Sequence, residues 1–476
     1  MRAALAILAV ALVAVPAADG YRNPTAGKAL VLQVKGMHRA KVKRNIVYQR
    51  SPKLRMDVYR PRNTRGRLPA VLLGGPPGSG RTSGQKVGWA QLIAASGLSA
   101  VAFDIRSDGR LQSPSNPAVD VHSAIAYVRS HSKRLGIDPN RLCTLGFSAP
   151  WHLWATMRDP QSWLRCNVVY YEPLDFQSPA LGDEFSALTY LRRSPGSIPP
   201  MLVMKAGRDS NAGINESIDR FQAAATELHA DIRVVTDPEA AQGFDIGPRT
   251  ARARAIVKQT LRFLKARLAP PLPVTESCAT KAEKASALRF FADDDTPLLG
   301  VVVGSGPRGV VLAHGQNLGF CEWLPYARQL AATGYRVLAY NSRSGIRVDA
   351  DIPATVEALR RTGSPHVIVM GSSAGAIAAL IGSTALASAP AAVVSLSAPA
   401  SFGPLNALPA VARLRVPTFF AASENNDPFV GDARALYAAS VAPDKRLEIL
   451  PGAAHGSAML SDPAFRARVE AFIGSH

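Results

Sequence analysis

Short runs of unbroken apolar residues alternate with helix-length amphipathic stretches along most of the chain. In the second half the apolar runs are 310–314, 336–340, 366–370, 392–396, 417–421 and 446–450, and the stretches between the earlier ones include 323–333, 352–361 and 374–386. The first half repeats the pattern, with runs at 70–74, 99–103, 141–147, 167–171 and 201–205, and helical stretches at 87–95, 118–135 and 214–228. Continuous apolar strands separated by helices predict a parallel sheet covered on both faces. Each half opens with two strand-like segments of more polar character, 45–60 and 288–304, which predict an antiparallel edge. A helix over 251–268 is stopped by Ala269-Pro270-Pro271-Leu272-Pro273, because proline cannot continue it. The expected fold class is α/β: two tandem domains, 19–268 and 287–476, each a mostly parallel sheet with helices on both faces, joined by a Pro-rich linker over 269–286.

Length agrees with this division, since 476 residues exceed one ordinary core. The amino terminus adds a compartment. Arg2 precedes an apolar run from Ala3 to Val15 and an exit through Pro16 and Ala17, the layout of a secretory signal peptide over 1–18. The expected product is an exported (periplasmic or secreted) protein. Four cysteines, Cys143, Cys166, Cys278 and Cys321, include no C-x-x-C pair, so zinc and thioredoxin-type chemistry are disfavoured. Cys278 in the linker and Cys321 at a helix start form the candidate disulfide; four free buried thiols are the alternative.

The formal net charge is +20, and it is uneven: residues 1–70 hold 15 basic and 2 acidic side chains, whereas residues 288–476 hold 15 and 14. Lys41, Lys43, Arg44, Lys53, Arg55, Arg62, Arg65 and Arg67 fall mostly on predicted edge strand and loop. A solvated basic surface is the simpler account; attachment to an anionic cell surface or polyanion is the functional one. Aromatic residues are not interleaved as stacking platforms, so nucleic acid is not an expected partner.

The chemistry concentrates in the second half. Gly371-Ser372-Ser373-Ala374-Gly375 is a G-x-S-x-G that follows an apolar strand and opens a helix. In that setting the serine sits on a tight turn at the sheet's carboxyl edge. A serine needs a base, and the base an orienting acid. Asp427 lies in the loop after strand 417–421, with Glu424 as its rival. His455, in a small-residue loop after the last strand, is the only histidine between Ser373 and the terminal His476. Oxyanion donors are expected from the amides of Ala374 and Gln316, the latter after His314-Gly315, which reads as a structural turn. With these motifs, residues 287–476 resemble an α/β-hydrolase of the serine-esterase and serine-peptidase type. The resemblance implies acyl transfer from a small-molecule substrate to water through an acyl-serine, without metal or cofactor. The 18 residues between Ser397 and Val416 are too few for a large cap domain.

The first half resembles the dienelactone-hydrolase and carboxylesterase branch of the same superfamily. The likeness rests on Asp120 to Arg129, Leu135 to Arg141 and Gly146-Phe147-Ser148-Ala149, with Asp209 as the matching acid. It departs at three places. Pro150 and Trp151 stand where the elbow should end in a small residue. Gly74-Gly75-Pro76-Pro77 replaces the oxyanion loop, and proline has no N–H. Gln242 holds the position of the histidine, and an amide cannot act as a base. Ser148, Asp209 and Gln242 are therefore expected to be a degenerate site.

Overall fold

The computed structural model describes residues 29–106, 115–176 and 183–476; the expected signal peptide lies outside the described residues. The chain forms two units, the first ending at Leu268 and the second spanning Ala269–His476. In the first, β1 (Lys41–Gln49), β2 (Leu54–Arg60), β3 (Leu68–Leu73), β4 (Ser99–Phe103), β5 (Ile137–Phe147), β6 (Leu164–Tyr170), β7 (Met201–Ala206) and β8 (Ile232–Asp237) form one sheet in the order β1-β2-β4-β3-β5-β6-β7-β8. Strand β2 pairs antiparallel with β1 and β4, and every other pairing is parallel.

The second unit holds β9 (Ala287–Phe291), β10 (Pro297–Val303), β11 (Arg308–Ala313), β12 (Tyr335–Asn341), β13 (His366–Ser372), β14 (Ala392–Leu396), the hairpin strands β15 (Ser401–Phe402) and β16 (Leu405–Asn406), β17 (Thr418–Ser423) and β18 (Lys445–Leu450). Its main sheet runs β9-β10-β12-β11-β13-β14-β17-β18. Setting the hairpin aside, this is the first unit's order repeated strand for strand. Again only the two edge pairings, β9–β10 and β10–β12, are antiparallel.

The apolar runs form these strands because both sheet faces are covered. Val311 and Val369 point into one core with Leu338 and Phe420, while their neighbours Val310, Leu312, Ile368 and Met370 point into the opposite core with Trp323 and Phe419. A period of two with apolar residues on both phases leaves no polar alternation to read. Strand β8 was not legible as a strand. It is an edge strand whose first five residues are only half-buried, so it lacks a continuous apolar run.

The expected linker is built into the second unit. A helix Lys281–Ala285 starts there on a capping box between Thr280 and Glu283. Glu283 holds Arg328 at 2.8 Å, and Cys278 is bonded to Cys321. The other two cysteines are also paired: Cys143 and Cys166 face each other on β5 and β6 with Cα atoms 4.7 Å apart. The segment between Ser397 and Val416 folds as the β15–β16 hairpin and a short helix, Leu408–Val411, with Leu405, Val411 and Leu414 in the core.

Candidate active site

Strand β13 delivers Ser373 onto the turn before the helix Ala374–Ser383, with φ +54° and ψ −116°. A non-glycine residue held there carries roughly 1–3 kcal/mol of backbone strain. The neighbouring glycines make the turn possible: a Cβ on Gly371 would meet the Gly375 carbonyl, and one on Gly375 the Ala313 carbonyl. The Ser373 amide donates to the Leu396 carbonyl at 2.9 Å, tying the turn to β14.

The loop carrying His455 is fastened across the end of β13. The Ser457 amide donates to Ser372 Oγ at 3.1 Å and the Gly456 amide to Ser397 Oγ at 3.0 Å. Ser423 Oγ donates to the Ala454 carbonyl at 2.7 Å, joining the same loop to the end of β17. The His455 ring lies against Phe429, with centroids 4.4 Å apart. Burial pushes its pKa below the usual histidine value, and the nearby Glu322 carboxylate opposes that push. No hydrogen bond joins Ser373 Oγ to the ring among the described residues; such bonds are often long until substrate is bound.

The orienting partner of His455 is not Asp427. His455 Nδ1 is 2.8 Å from Asn426 Oδ1, while the Asp427 side chain is exposed. The turn decides between them. The Asn426 amide donates to the Ser423 carbonyl at 3.1 Å, and its own carbonyl accepts from Val430 at 3.2 Å; this aims the Asn426 side chain at the histidine loop and its successor at solvent. Glu424 is also displaced from the role, because its carboxylate accepts the Gly452 amide at 3.2 Å.

Glu322 is the residue that sequence reasoning missed. One carboxylate oxygen accepts the Gly315 amide and the other the Ser457 hydroxyl, both at 2.6 Å. It bridges the loop after β11 to the loop of His455. Its only sequence signal was an acid shortly after His314-Gly315. That first loop also faces the serine: a Cβ built on Gly315 would lie 3.6 Å from Ser373 Cβ. The Gln316 amide has no acceptor among the described residues, and the Ala374 amide, first in its helix, has none within it. His314 is structural, with Nδ1 2.6 Å from the Gly315 carbonyl and Nε2 3.0 Å from both the Ser342 amide and hydroxyl.

The first unit holds the matching serine in the matching strain. Ser148 follows β5 at φ +63°, and its amide donates to the Tyr170 carbonyl at 3.0 Å. Gln242 Nε2 donates to Ser148 Oγ at 3.1 Å. Asp209 does not complete a chain: one of its oxygens accepts the Asn211 amide at 2.9 Å, the other is buried without a partner, and burial raises its pKa. Pro150 precedes the helix Trp151–Met157. Beneath this turn lie His152 and Glu172, both fully buried, with Nδ1 and Oε2 3.6 Å apart. Burial lowers the His152 pKa to about 3 and raises that of Glu172 well above the usual value, which favours the neutral form of each.

The two units thus share one strand order, and each presents a serine at positive φ on the turn between an interior strand and its helix. The BD-FAE family model matches residues 56–161, a stretch that includes Ser148. No curated protein matches the chain. Among solved structures, it is similar to the native thermophilic esterase Est2 of the planctomycete Thermogutta terrifontis, at 21% identity over 49% of this chain and 95% of that one, TM-score 0.41. It is likewise similar to carboxyl esterase 2 of the mycorrhizal fungus Tuber melanosporum, at 15% identity over 52% and 93%, TM-score 0.43.

Proposed function

We propose that the protein is an exported serine hydrolase whose second unit cleaves a small acyl ester, thioester or amide. The observation that carries this reading is the contrast in what faces each serine loop: an imidazole fixed by Asn426 in the second unit, a glutamine amide in the first. His455 takes the Ser373 proton as Oγ attacks the acyl carbon. The carbonyl electron pair moves onto oxygen, where the Ala374 and Gln316 amides receive it. Collapse expels the alcohol, thiol or amine with the proton from His455. A water, deprotonated by His455, then releases the acid and restores Ser373. Asn426 orients the ring without charge, as in Cys-His-Asn sites, and Glu322 supplies the negative charge beside the imidazolium. A peptidase or acyltransferase would use the same groups. Two disulfides support export, since such bonds persist in oxidising compartments.

A fluorophosphonate probe tests the assignment. Labelling is expected on Ser373 and lost in Ser373→Ala. One observation favours a second reading: the family match lies over the first unit and spans Ser148. Labelling that survives Ser373→Ala and disappears with Ser148→Ala would move the activity there. A protein that takes no label on either serine would be a binding scaffold.

A further inference from the structure

A cleft of about 510 Å³ opens on the first unit between edge strand β1 and the end of the helix Ser115–Ser130, well within the range of small-ligand sites. Arg44, Arg50, Arg134 and His131 line it, and no carboxylate of the described residues does. The acids behind it are already engaged: Asp57 and Asp104 by Arg81, at 3.1 and 2.9 Å, and Asp120 by Arg106, at 2.6 Å. Arg44 reaches Asp57 only at 3.8 Å with its side chain mostly exposed. Arg50 and Arg134 meet no carboxylate among the described residues. At each nearby helix end one carbonyl, which would repel an anion, accepts a side chain instead: Lys43 Nζ donates to the Arg134 carbonyl at 2.6 Å, and Ser130 Oγ to the Tyr127 carbonyl at 3.2 Å.

We infer that this cleft binds an acidic glycan through its carboxylate or sulfate groups. Guanidinium forks match planar and tetrahedral oxyanions better than any other side chain. The register of β1 skips from Lys43 to Ile46, and the Asn45 amide of this bulge is pinned to Asp57 Oδ1 at 2.7 Å, which holds Arg44 in place on the rim of the cleft. Nucleic acid fits less well. His131 stacks on one face of the Tyr127 ring at 3.9 Å, and Tyr48 is buried against Phe103, so the cleft offers no row of open rings for successive bases. A membrane surface also fits less well, because the exposed large apolar side chains of this unit, Val34 and Val119, do not line the cleft.

The test is binding of oligogalacturonate and of sulfated dextran oligomers at fixed, physiological ionic strength, with neutral dextran alongside. The acidic oligomers are expected to bind the full chain, and Ser373→Ala to bind them equally, so that binding stands apart from hydrolysis. Whichever acidic oligomer binds more tightly identifies carboxylate or sulfate as the recognised group. Arg50→Ala with Arg134→Ala should weaken binding about a hundredfold, near tenfold for each charge-assisted hydrogen bond removed. Arg62→Ala with Arg65→Ala, the same charge removed from an exposed loop, should cost less than about threefold. Equal losses in the two pairs, equal binding of neutral dextran, or tighter cleft-dependent binding of single-stranded DNA or anionic vesicles would each overturn the inference. An unchanged unfolding temperature excludes misfolding as the cause.

Discussion

The two serine turns are alike in how they are supported and differ in the side chain of the loop opposite, Gln242 in the first unit and His455 in the second. Each serine follows an interior strand at φ near +60°. Each donates its amide to the last residue of the next strand, Tyr170 in one unit and Leu396 in the other. One residue further on, Tyr171 and Ser397 are also left-handed, and both anchor the loop opposite: the Tyr171 hydroxyl donates to Asp245 at 2.6 Å, and Ser397 Oγ accepts the Gly456 amide at 3.0 Å. Backbone strain at an elbow is therefore kept by the sheet and its neighbours, whether or not a base is present. An elbow alone does not report activity; the side chain opposite it does.

The sharpest way to break this comparison is to remove each serine in turn. Ser373→Ala should lower kcat on an activated ester by about 10⁴–10⁶, and Ser148→Ala should leave it within about twofold. Equal losses from the two would erase the distinction. Next comes the orienter: Asn426→Ala should cost on the order of 10²–10³ in kcat, while Asp427→Asn stays within about threefold. The reverse ranking would place the acid where the strand-end position suggested it.

A third test concerns charge. Because Glu322 holds the His455 pKa up against burial, Glu322→Gln should move the acid limb of kcat/KM to lower pH. A limb that stays in place would separate Glu322 from the imidazolium. The buried pair in the first unit gives a stability test. Glu172, raised, contributes stability present below its ordinary 4.5 and lost as pH climbs through its folded value. His152, lowered to about 3, contributes stability present above its ordinary 6.5 and lost as pH falls towards 3. The two slopes cancel between pH 4.5 and 6.5, so stability from this pair should fall on either side of that window. Tryptophan fluorescence can follow it, because four of the five tryptophans, Trp89, Trp151, Trp154 and Trp163, lie in this unit. Glu172→Gln should remove the alkaline decline and keep the acid one.

The smallest expected effect is a gain. Gln242→His in a Ser373→Ala background sets an imidazole near Ser148, yet should return less than about a hundredth of wild-type turnover. Pro76, third after β3 as Gln316 is third after β11, offers no donor, and one missing donor costs about 3–4 kcal/mol. Robust turnover would show that the first unit lacks only its base.

Sheets, helices and both elbows were legible because each depends on a local pattern: an apolar run, a helical stretch, small residues around a serine. The orienter was not. Glu424, Asn425, Asn426 and Asp427 are four consecutive polar residues, and only the hydrogen bonding of their turn selects which one faces His455. Glu322 was hidden for a similar reason, since its partners Gly315 and Ser457 are brought together by the sheet rather than by sequence. The Cys143–Cys166 bond depends on the register of β5 against β6, which apolar composition does not encode.

That bond has a consequence for assembly. Two sheets of identical strand order in one chain invite exchange, with a strand of one copy taking the corresponding place in the other. Both disulfides close within a unit, across 23 residues in the first and 43 in the second. Cys143 and Cys166 can be joined only when β5 lies beside its own β6, because the second sheet has no cysteine on the equivalent strands β13 and β14. The Cys143–Cys166 bond is therefore compatible with one pairing of these strands, the pairing the first sheet has.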